Sequence, residues 1–148
     1  MSGTNAAAAS ISGVNTLTIS ASTTPLPDII MMATGTLDYR TGVGNATAFA
    51  VATSNIGATA TGVSFNVVVP SSITGLVTQV NQTNPTTGAI IGPATGLIIN
   101  TGAQPTFAVF LTPTQPIAYD PANNRITLQL VDGSGKVIGA QSVAVSTT

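Results

Sequence analysis

Hydrophobic and polar residues alternate with a period of two along most of this chain. In residues 125–131, for example, Ile126, Leu128 and Leu130 are separated by polar residues. Such alternation is typical of a strand with one buried face, whereas a helix repeats every 3.6 residues. No segment keeps helical spacing over three turns, and Thr, Val and Ile are frequent, as strands prefer. The pattern therefore predicts an all-β protein.

The candidate strands are short, and turn signals separate them at intervals of about 8–12 residues. They cover residues 28–37, 46–54, 61–69, 73–80, two short strands within 89–100, 106–111, 125–131 and 136–145. Residues 81–87 are polar and predict a loop, and the Asp-Gly-Ser-Gly sequence at 132–135 predicts a hairpin turn. Short strands with irregular turns favour an antiparallel, immunoglobulin-like β-sandwich over a barrel.

The N-terminal segment has its own organisation. Residues 1–9 are small and uncharged and predict a leader, and residues 23–27 contain two prolines and predict an extended linker. We therefore divide the chain into residues 1–27, which carry the leader, an extended N-terminal strand and the linker, and a sandwich domain of residues 28–148.

Between leader and linker, residues 10–20 alternate as a strand does. Ile11, Leu17 and Ile19 fall on one face, and Val14 falls on the other. The segment is either the first strand of its own sandwich or a donor strand that completes the sheet of a neighbouring copy. Donation would hide an open sheet edge and, being head-to-tail, would build a filament.

The composition narrows the choice of partners. Hydrophobic residues make up 43% of the chain but charged residues only 5%, with four acids and three bases. Nucleic-acid binding requires a cluster of Lys and Arg, which three bases cannot form. The net charge of −1 does little to keep identical copies apart, and a neutral, Thr-rich surface suits either packing of copies or a glycan coat. No apolar run reaches the roughly 18 residues of a membrane-spanning helix.

Missing residue types argue against an enzyme. Without His or Cys, the chain cannot form a Ser-His or Cys-His nucleophile pair. Without Glu, a two-carboxylate mechanism would need two of the four Asp residues. We interpret Asp38 and Arg40 as an exposed ion pair on one strand face and Asp132 as part of its hairpin. We expect no catalytic residue and no cofactor.

A calcium site is the one metal hypothesis. Asp120, Asn123 and Asn124 offer oxygen ligands, but the carboxylate-rich spacing of calcium loops is missing. A plain β-turn is the preferred interpretation, so no metal site is predicted.

Carbohydrate could be involved in two ways. Asn45 and Asn81 begin N-glycosylation sequons in predicted loops, although such sequons arise by chance in a chain rich in Asn and Thr. Tyr39 and Tyr119 could mark a sugar-binding surface, but two tyrosines are too few to support one.

Two stretches of the chain resemble known surface domains. Residues 51–70 contain a strand ending in Asn55-Ile56-Gly57, a Thr/Ala-rich turn and an alternating strand closed by Pro70. This arrangement resembles bacterial and archaeal cell-surface Ig-like repeats of the CARDB-like kind, and residues 102–113 are similar to another strand of such domains. The resemblance implies a β-sandwich on or outside a cell surface and carries no catalytic residues.

Three functions remain open. The first is a subunit of an extracellular filament or surface assembly, a homopolymer joined head-to-tail by the N-terminal strand. The second is an adhesive module that binds a glycan or protein at the cell surface. The third is a virion surface protein.

Overall fold

In a computed structural model of the chain, which describes residues 23–35 and 37–148, two five-stranded sheets pack face to face. No helix occurs within these ranges, which confirms the all-β prediction. The strands are β1 (Ile29–Ala33), β2 (Asp38–Thr41), β3 (Thr47–Asn55), β4 (Ala60–Val68), β5 (Leu76–Thr83), β6 (Ile90–Pro93), β7 (Leu97–Ile99), β8 (Thr106–Pro113), β9 (Arg125–Val131) and β10 (Val137–Thr147).

The strand order is that of an immunoglobulin-like sandwich. The first sheet runs β1-β3-β8-β5-β6, and the second runs β2-β10-β9-β4-β7. Strands β1, β3, β8 and β5 take the places of A, B, E and D, and β10, β9 and β4 take those of G, F and C. The predicted Ig-like sandwich is thus confirmed. One pair departs from the antiparallel prediction, because β2 runs parallel to β10.

The core lies between the two sheets and follows the predicted alternation. In β8 and β9, every second side chain is buried. The rings of Phe65 and Phe107, from opposite sheets, meet with centroids 5.0 Å apart. Burying one large aliphatic or aromatic side chain contributes about 1.5–3 kcal/mol. The largest fully buried hydrophobic side chains are Phe107, Ile99, Leu111, Ile126, Leu128, Leu130, Val51, Val63, Val109 and Val143.

Among the described residues of 28–37, where one strand was predicted, the structure has only β1, and β2 (Asp38–Thr41) is a further strand that the pattern did not predict. β1 belongs to the first sheet and β2 to the second, and Gly35 and Leu37 in the connection have φ angles of 89° and 59°. These left-handed conformations turn the chain from one sheet to the other. The Tyr39 ring then stacks on Phe49 of the first sheet, with centroids 3.9 Å apart.

The loop predicted over residues 81–87 begins later than expected. Strand β5 continues to Thr83 because its main chain pairs with β8 on one side and β6 on the other. Main-chain pairing is indifferent to side-chain polarity, and the Thr83 hydroxyl is satisfied by the Thr106 hydroxyl at 2.8 Å. The same strand begins at Leu76, three residues later than predicted. Ile73 lies outside the strand but is buried in the core.

One side of the sandwich is closed by contacts between β1 and β10. The side-chain oxygen of Gln141, itself buried, accepts a hydrogen bond from the Ala33 amide at 2.6 Å. Gly139 lies beside a register shift in β10, where a Cβ atom would collide with the carbonyl oxygen of Ile29. A glycine is therefore needed for the two sheets to approach so closely here.

Asn55, at the end of β3, is a fully buried polar residue that joins several parts of the fold. Its side-chain nitrogen donates to the carbonyl oxygens of Ala58, Ile99 and Asn100 at 2.8, 3.0 and 3.3 Å. Its side-chain oxygen accepts from the Gly57 amide at 3.0 Å. One amide group thus connects the turn after β3 with the end of β7.

The turn after Asn55 also holds the segment that precedes β1. The Ile56 amide donates to the Asp28 carbonyl at 2.9 Å, and the Ala58 amide donates to the Leu26 carbonyl at 3.0 Å. The approach is so close that a Cβ on Gly57 would collide with the Leu26 carbonyl oxygen. The Asn-x-Gly sequence of this turn therefore makes two contacts. The Asn55 side chain binds the end of β7, and Gly57 lets the segment before β1 lie close to the turn.

We expect Asn55→Ala to lower the free energy of unfolding by about 3 kcal/mol or more, because it leaves several buried backbone groups without a partner. Denaturant unfolding measures the loss. Asn66→Ala, at an exposed strand position, is the matched control and should change stability by less than about 0.5 kcal/mol. Equal effects of the two substitutions would contradict this role for Asn55.

Candidate functional site: an open groove between β4 and β5

The side of the sandwich opposite β1 has two incompletely paired strands. Strand β4 pairs with β9 along one edge, but on its other edge β7 pairs only at Ala60 and Val63. The Phe65 amide then donates to the Ala94 carbonyl at 2.8 Å. Beyond Phe65, no strand of the described chain pairs with this edge of β4.

Strand β5 is exposed in the same way. It pairs with β8 along its whole length, whereas β6 pairs only with residues 81–83 on the other edge. Residues 76–80 therefore have one edge without a strand partner among the described residues. Unpaired edges are the places where sheets accept additional strands.

A groove of about 410 Å³ lies between these two edges. Phe65 and Val67 of β4 form one wall, and Thr78 and Val80 of β5 form the other. Val67 and Val80 are only partly buried although they belong to the inner faces of the sheets. No lining residue is charged; the remainder are Asn66, Pro93, Ala94 and Thr95.

The groove has the requirements for binding an extended peptide. Its walls include strand edges that no described strand pairs, and Phe65, Val67 and Val80 offer apolar contacts to every second side chain of an incoming strand. Its polar side chains are those of Asn66, Thr78 and Thr95, and none of its lining residues is charged.

The sequence contained one signal for this groove. Gly92, Pro93 and Gly96 interrupt residues 89–100 and predict two short strands there, as β6 and β7 confirm. What the pattern did not reveal is that the two strands lie in different sheets. Because both are short, each leaves part of its neighbour uncovered.

The predicted donor residues Ile11, Val14, Leu17 and Ile19 lie outside the described residues. The extended N-terminal strand and the division of the chain at residue 27 stay predictions. Within the described part, residues 26–28 are hydrogen-bonded to the turn after β3.

The two candidate glycosylation residues have different surroundings. Asn45 is exposed in the turn before β3, where its main-chain amide donates to the Gly42 carbonyl at 3.0 Å. Asn81 lies in strand β5 with a buried side-chain nitrogen, so its predicted loop position is wrong. Glycosylation of either residue stays a prediction.

The predicted Asp38–Arg40 ion pair forms, but only Arg40 is exposed, and Asp38 is partly buried. The Arg40 guanidinium donates to the Asp38 carboxylate at 2.8 Å and lies 4.0 Å over the Tyr119 ring. The hydrogen bond to Asp38 is the main reason that the pKa of Arg40 is raised. Tyr39 is packed against Phe49 and donates its hydroxyl to the Thr34 carbonyl, so only Tyr119 offers an exposed ring.

Asp120 forms the preferred turn and not an open ligand cluster. Its carboxylate accepts from the Asn123 side chain at 2.8 Å and from the Asn123 amide at 3.2 Å, which lowers the pKa of Asp120. The Asn124 side chain is directed to the Ala118 carbonyl instead. Among the described residues, no group of three His, Cys, Asp or Glu side chains could hold a metal ion.

Asp132 organises the β9–β10 hairpin, as its sequence predicts. One carboxylate oxygen accepts from the Ser134 hydroxyl at 2.6 Å and from the Ser134 and Lys136 amides at 2.9 and 3.0 Å. These bonds, the one from the Ser134 hydroxyl above all, lower the pKa of Asp132. The carboxylate therefore stabilises the hairpin only when it is ionised.

We expect the free energy of unfolding to be nearly constant between about pH 8 and about pH 5, because no His or Glu titrates there. Asp120 and Asp132 have lowered pKa values in the folded state, so their contribution is complete above the unfolded pKa of about 3.9 and is lost as pH falls further. Denaturant unfolding across this range measures the profile. Asp132→Asn should lessen the acid-side fall, and a marked fall between pH 7 and 5 would contradict the expectation.

No helix among the described residues is long and apolar enough to cross a membrane.

Comparison with known proteins identifies similar architecture only. No family model matches the chain, and no curated protein matches it. Solved structures with similar folds include the CARDB domain of a Pyrococcus furiosus protein, at 15% identity and a TM-score of 0.46, covering 83% of this chain and 98% of that one. Domains 4 and 5 of the S-layer protein SbsC match at 15% identity and a TM-score of 0.44, over 84% of this chain. The chain spans about half (54%) of that S-layer fragment.

A family 123 glycoside hydrolase from Clostridium perfringens is also similar, at 9% identity and a TM-score of 0.44, over 84% of this chain and 27% of that enzyme. The similarity includes the kind of domain that the sequence resembled, and it assigns no activity.

Proposed function

We propose that this protein is a non-enzymatic structural subunit of an extracellular or cell-surface assembly. Copies join head-to-tail when residues 10–20 of one subunit enter the β4–β5 groove of the next. The observation that carries the proposal is the groove itself, in which β4 and β5, one from each sheet, have unpaired edges beside the partly buried Val67 and Val80.

The donor segment and the groove correspond in chemistry. The groove is uncharged, and residues 10–20 contain no charged residue either. Alternation in the segment brings Ile11, Leu17 and Ile19 to one face, where they would replace water over Val67 and Val80. The opposite face, with Val14, would point to solvent.

The point where the N-terminal segment joins the sandwich is compatible with donation of that segment to a neighbouring copy. Residues 26–28 are bound to the turn after β3, and β1 closes the side of the sandwich that is opposite the groove. Pro27 lies beside Thr59, Ala60 and Thr61, at the end of the sandwich where β4 begins. Because each subunit gives one strand and receives one, the contact repeats without closing.

The first test compares substitutions on the two faces of the donor segment in the full-length chain. We expect Leu17→Asn to shorten or abolish polymers seen by negative-stain electron microscopy, because it places an amide in an apolar groove. Val14→Asn is the matched control and should polymerise normally. Equal polymerisation by both variants would contradict strand donation, and monomers of the unaltered protein at high concentration would favour the adhesive module.

A second test locates the acceptor. Since the chain has no Cys, single cysteines can report contacts between two copies. We expect a Leu17→Cys variant, mixed with Val67→Cys, Thr78→Cys or Val80→Cys, to form a disulfide-linked dimer with at least one of the three on a non-reducing gel. Val14→Cys should form none, and absence of a Leu17→Cys cross-link to all three positions would exclude this groove as the acceptor.

A further inference from the structure

The two sheets differ in the distribution of charge. None of the five strands of the first sheet contains a charged residue. The second sheet, in contrast, carries Asp38, Arg40 and Arg125 on its strands, and its hairpin carries Asp132 and Lys136. With seven formal charges in the whole chain, the strands of this sheet are left neutral, and Asp28, directly before β1, is the charged residue at its border.

The outer face of the first sheet also exposes large apolar side chains. Ile30 and Met32 of β1 are 48% and 64% exposed, Val77 of β5 is 57% exposed, and Ile90 of β6 is 55% exposed. Their partners at the centre of the sheet are small. Residues aligned across the strands form a row of Met32, Ala52, Thr106, Thr83 and Ile90.

The centre of this face is suited to close packing. Ala48 and Ala50 of β3 are exposed, and they lie opposite Phe110 and Ala108 of β8. Ala48, Ala50 and Ala108 leave space beside Phe110, the large side chain that the central strand places on this face. A second sheet at about 10 Å, the spacing of packed β-sheets, would contact Phe110 and the apolar residues at the two edges.

We infer that the outer face of the first sheet is a second self-association surface, which pairs with the same face of another copy. A neutral face has nothing to offer a charged partner, and no like charges oppose its pairing with itself. The 34 residues of these five strands, at a rise of about 3.3 Å and a strand spacing of about 4.8 Å, cover roughly 540 Å² per copy, or about 1,100 Å² in a pair. That total lies at the lower end of specific interfaces.

This contact is independent of strand donation. The groove opens between β4 and β5 at the side of the sandwich, whereas the outer face of the first sheet points away from the second sheet. One copy can therefore use both. Donation extends an assembly without limit, but a face-to-face pair is two-fold symmetric and closes as a dimer. In a filament, this face would join filaments side by side.

The test separates the two contacts by blocking strand donation. In the full-length chain carrying Leu17→Asn and Ile19→Asn, we expect sedimentation velocity to show a concentration-dependent dimer. Adding Ala50→Lys should weaken that dimer at least about tenfold, because each copy would bury an unpaired ammonium. Ala140→Lys, on the outer face of the second sheet, is the matched control and should leave the dimer unchanged.

Other results would overturn the inference. A monomer at every concentration would show that this face does not self-associate and is covered by the chain's own N-terminal segment or left free. Equal dimerisation with Ala50→Lys and Ala140→Lys would place the contact elsewhere. If the unaltered protein forms filaments, Ala50→Lys should leave their length unchanged and remove their lateral pairing; failure of strand donation would instead shorten the filaments.

Discussion

The hydrogen bonds of Asn55 are the constraint on which the rest of the architecture depends. The residue is fully buried, in a chain that buries few polar side chains. Its side-chain amide forms hydrogen bonds with backbone groups of the turn after β3 and of the end of β7. A buried amide without partners would cost several kcal/mol, so these elements must stay together once the core has formed. The adjoining turn then holds residues 26–28 in place, which determines where the N-terminal segment leaves the domain.

That exit point matters because the two sides of the sandwich are built differently. On one side, Gln141 and Gly139 let β1 lie directly against β10, and the interior is sealed. On the other side, β6 and β7 are too short to cover β5 and β4, and the interior is accessible. A sandwich sealed on one side and open on the other has a direction, and a directed subunit is what head-to-tail assembly requires.

The scarcity of charge has a structural consequence beyond solubility. Most of the formal charge lies on the second sheet or its hairpin, where Asp38 pairs with Arg40 and Asp132 binds its own turn. These side chains form contacts with residues near them in the chain. The strands of the first sheet carry no charge, and their outer face is partly apolar. A protein that must stay apart from its copies would normally spread charge over both faces. The distribution here is compatible with close contact between copies.

The sequence by itself determined the elements and the class of fold. Alternation in β8 and β9, the Asp132 hairpin and the breaks at Gly92, Pro93 and Gly96 are local signals, because side-chain period and turn geometry depend on neighbouring residues. The absence of His, Cys and Glu limits the ionisable side chains of the chain to Asp, Lys, Arg and Tyr.

Tertiary structure decided the rest. The separate strand β2 in the second sheet, the extension of β5 through polar residues to Thr83 and the open groove depend on which strands become neighbours. Pairing partners are set by contacts between residues far apart in the chain, and alternation carries no information about them. The neutral face is the clearest case. Its residues can be read from the sequence, but their assembly into one surface follows only from the order of the strands.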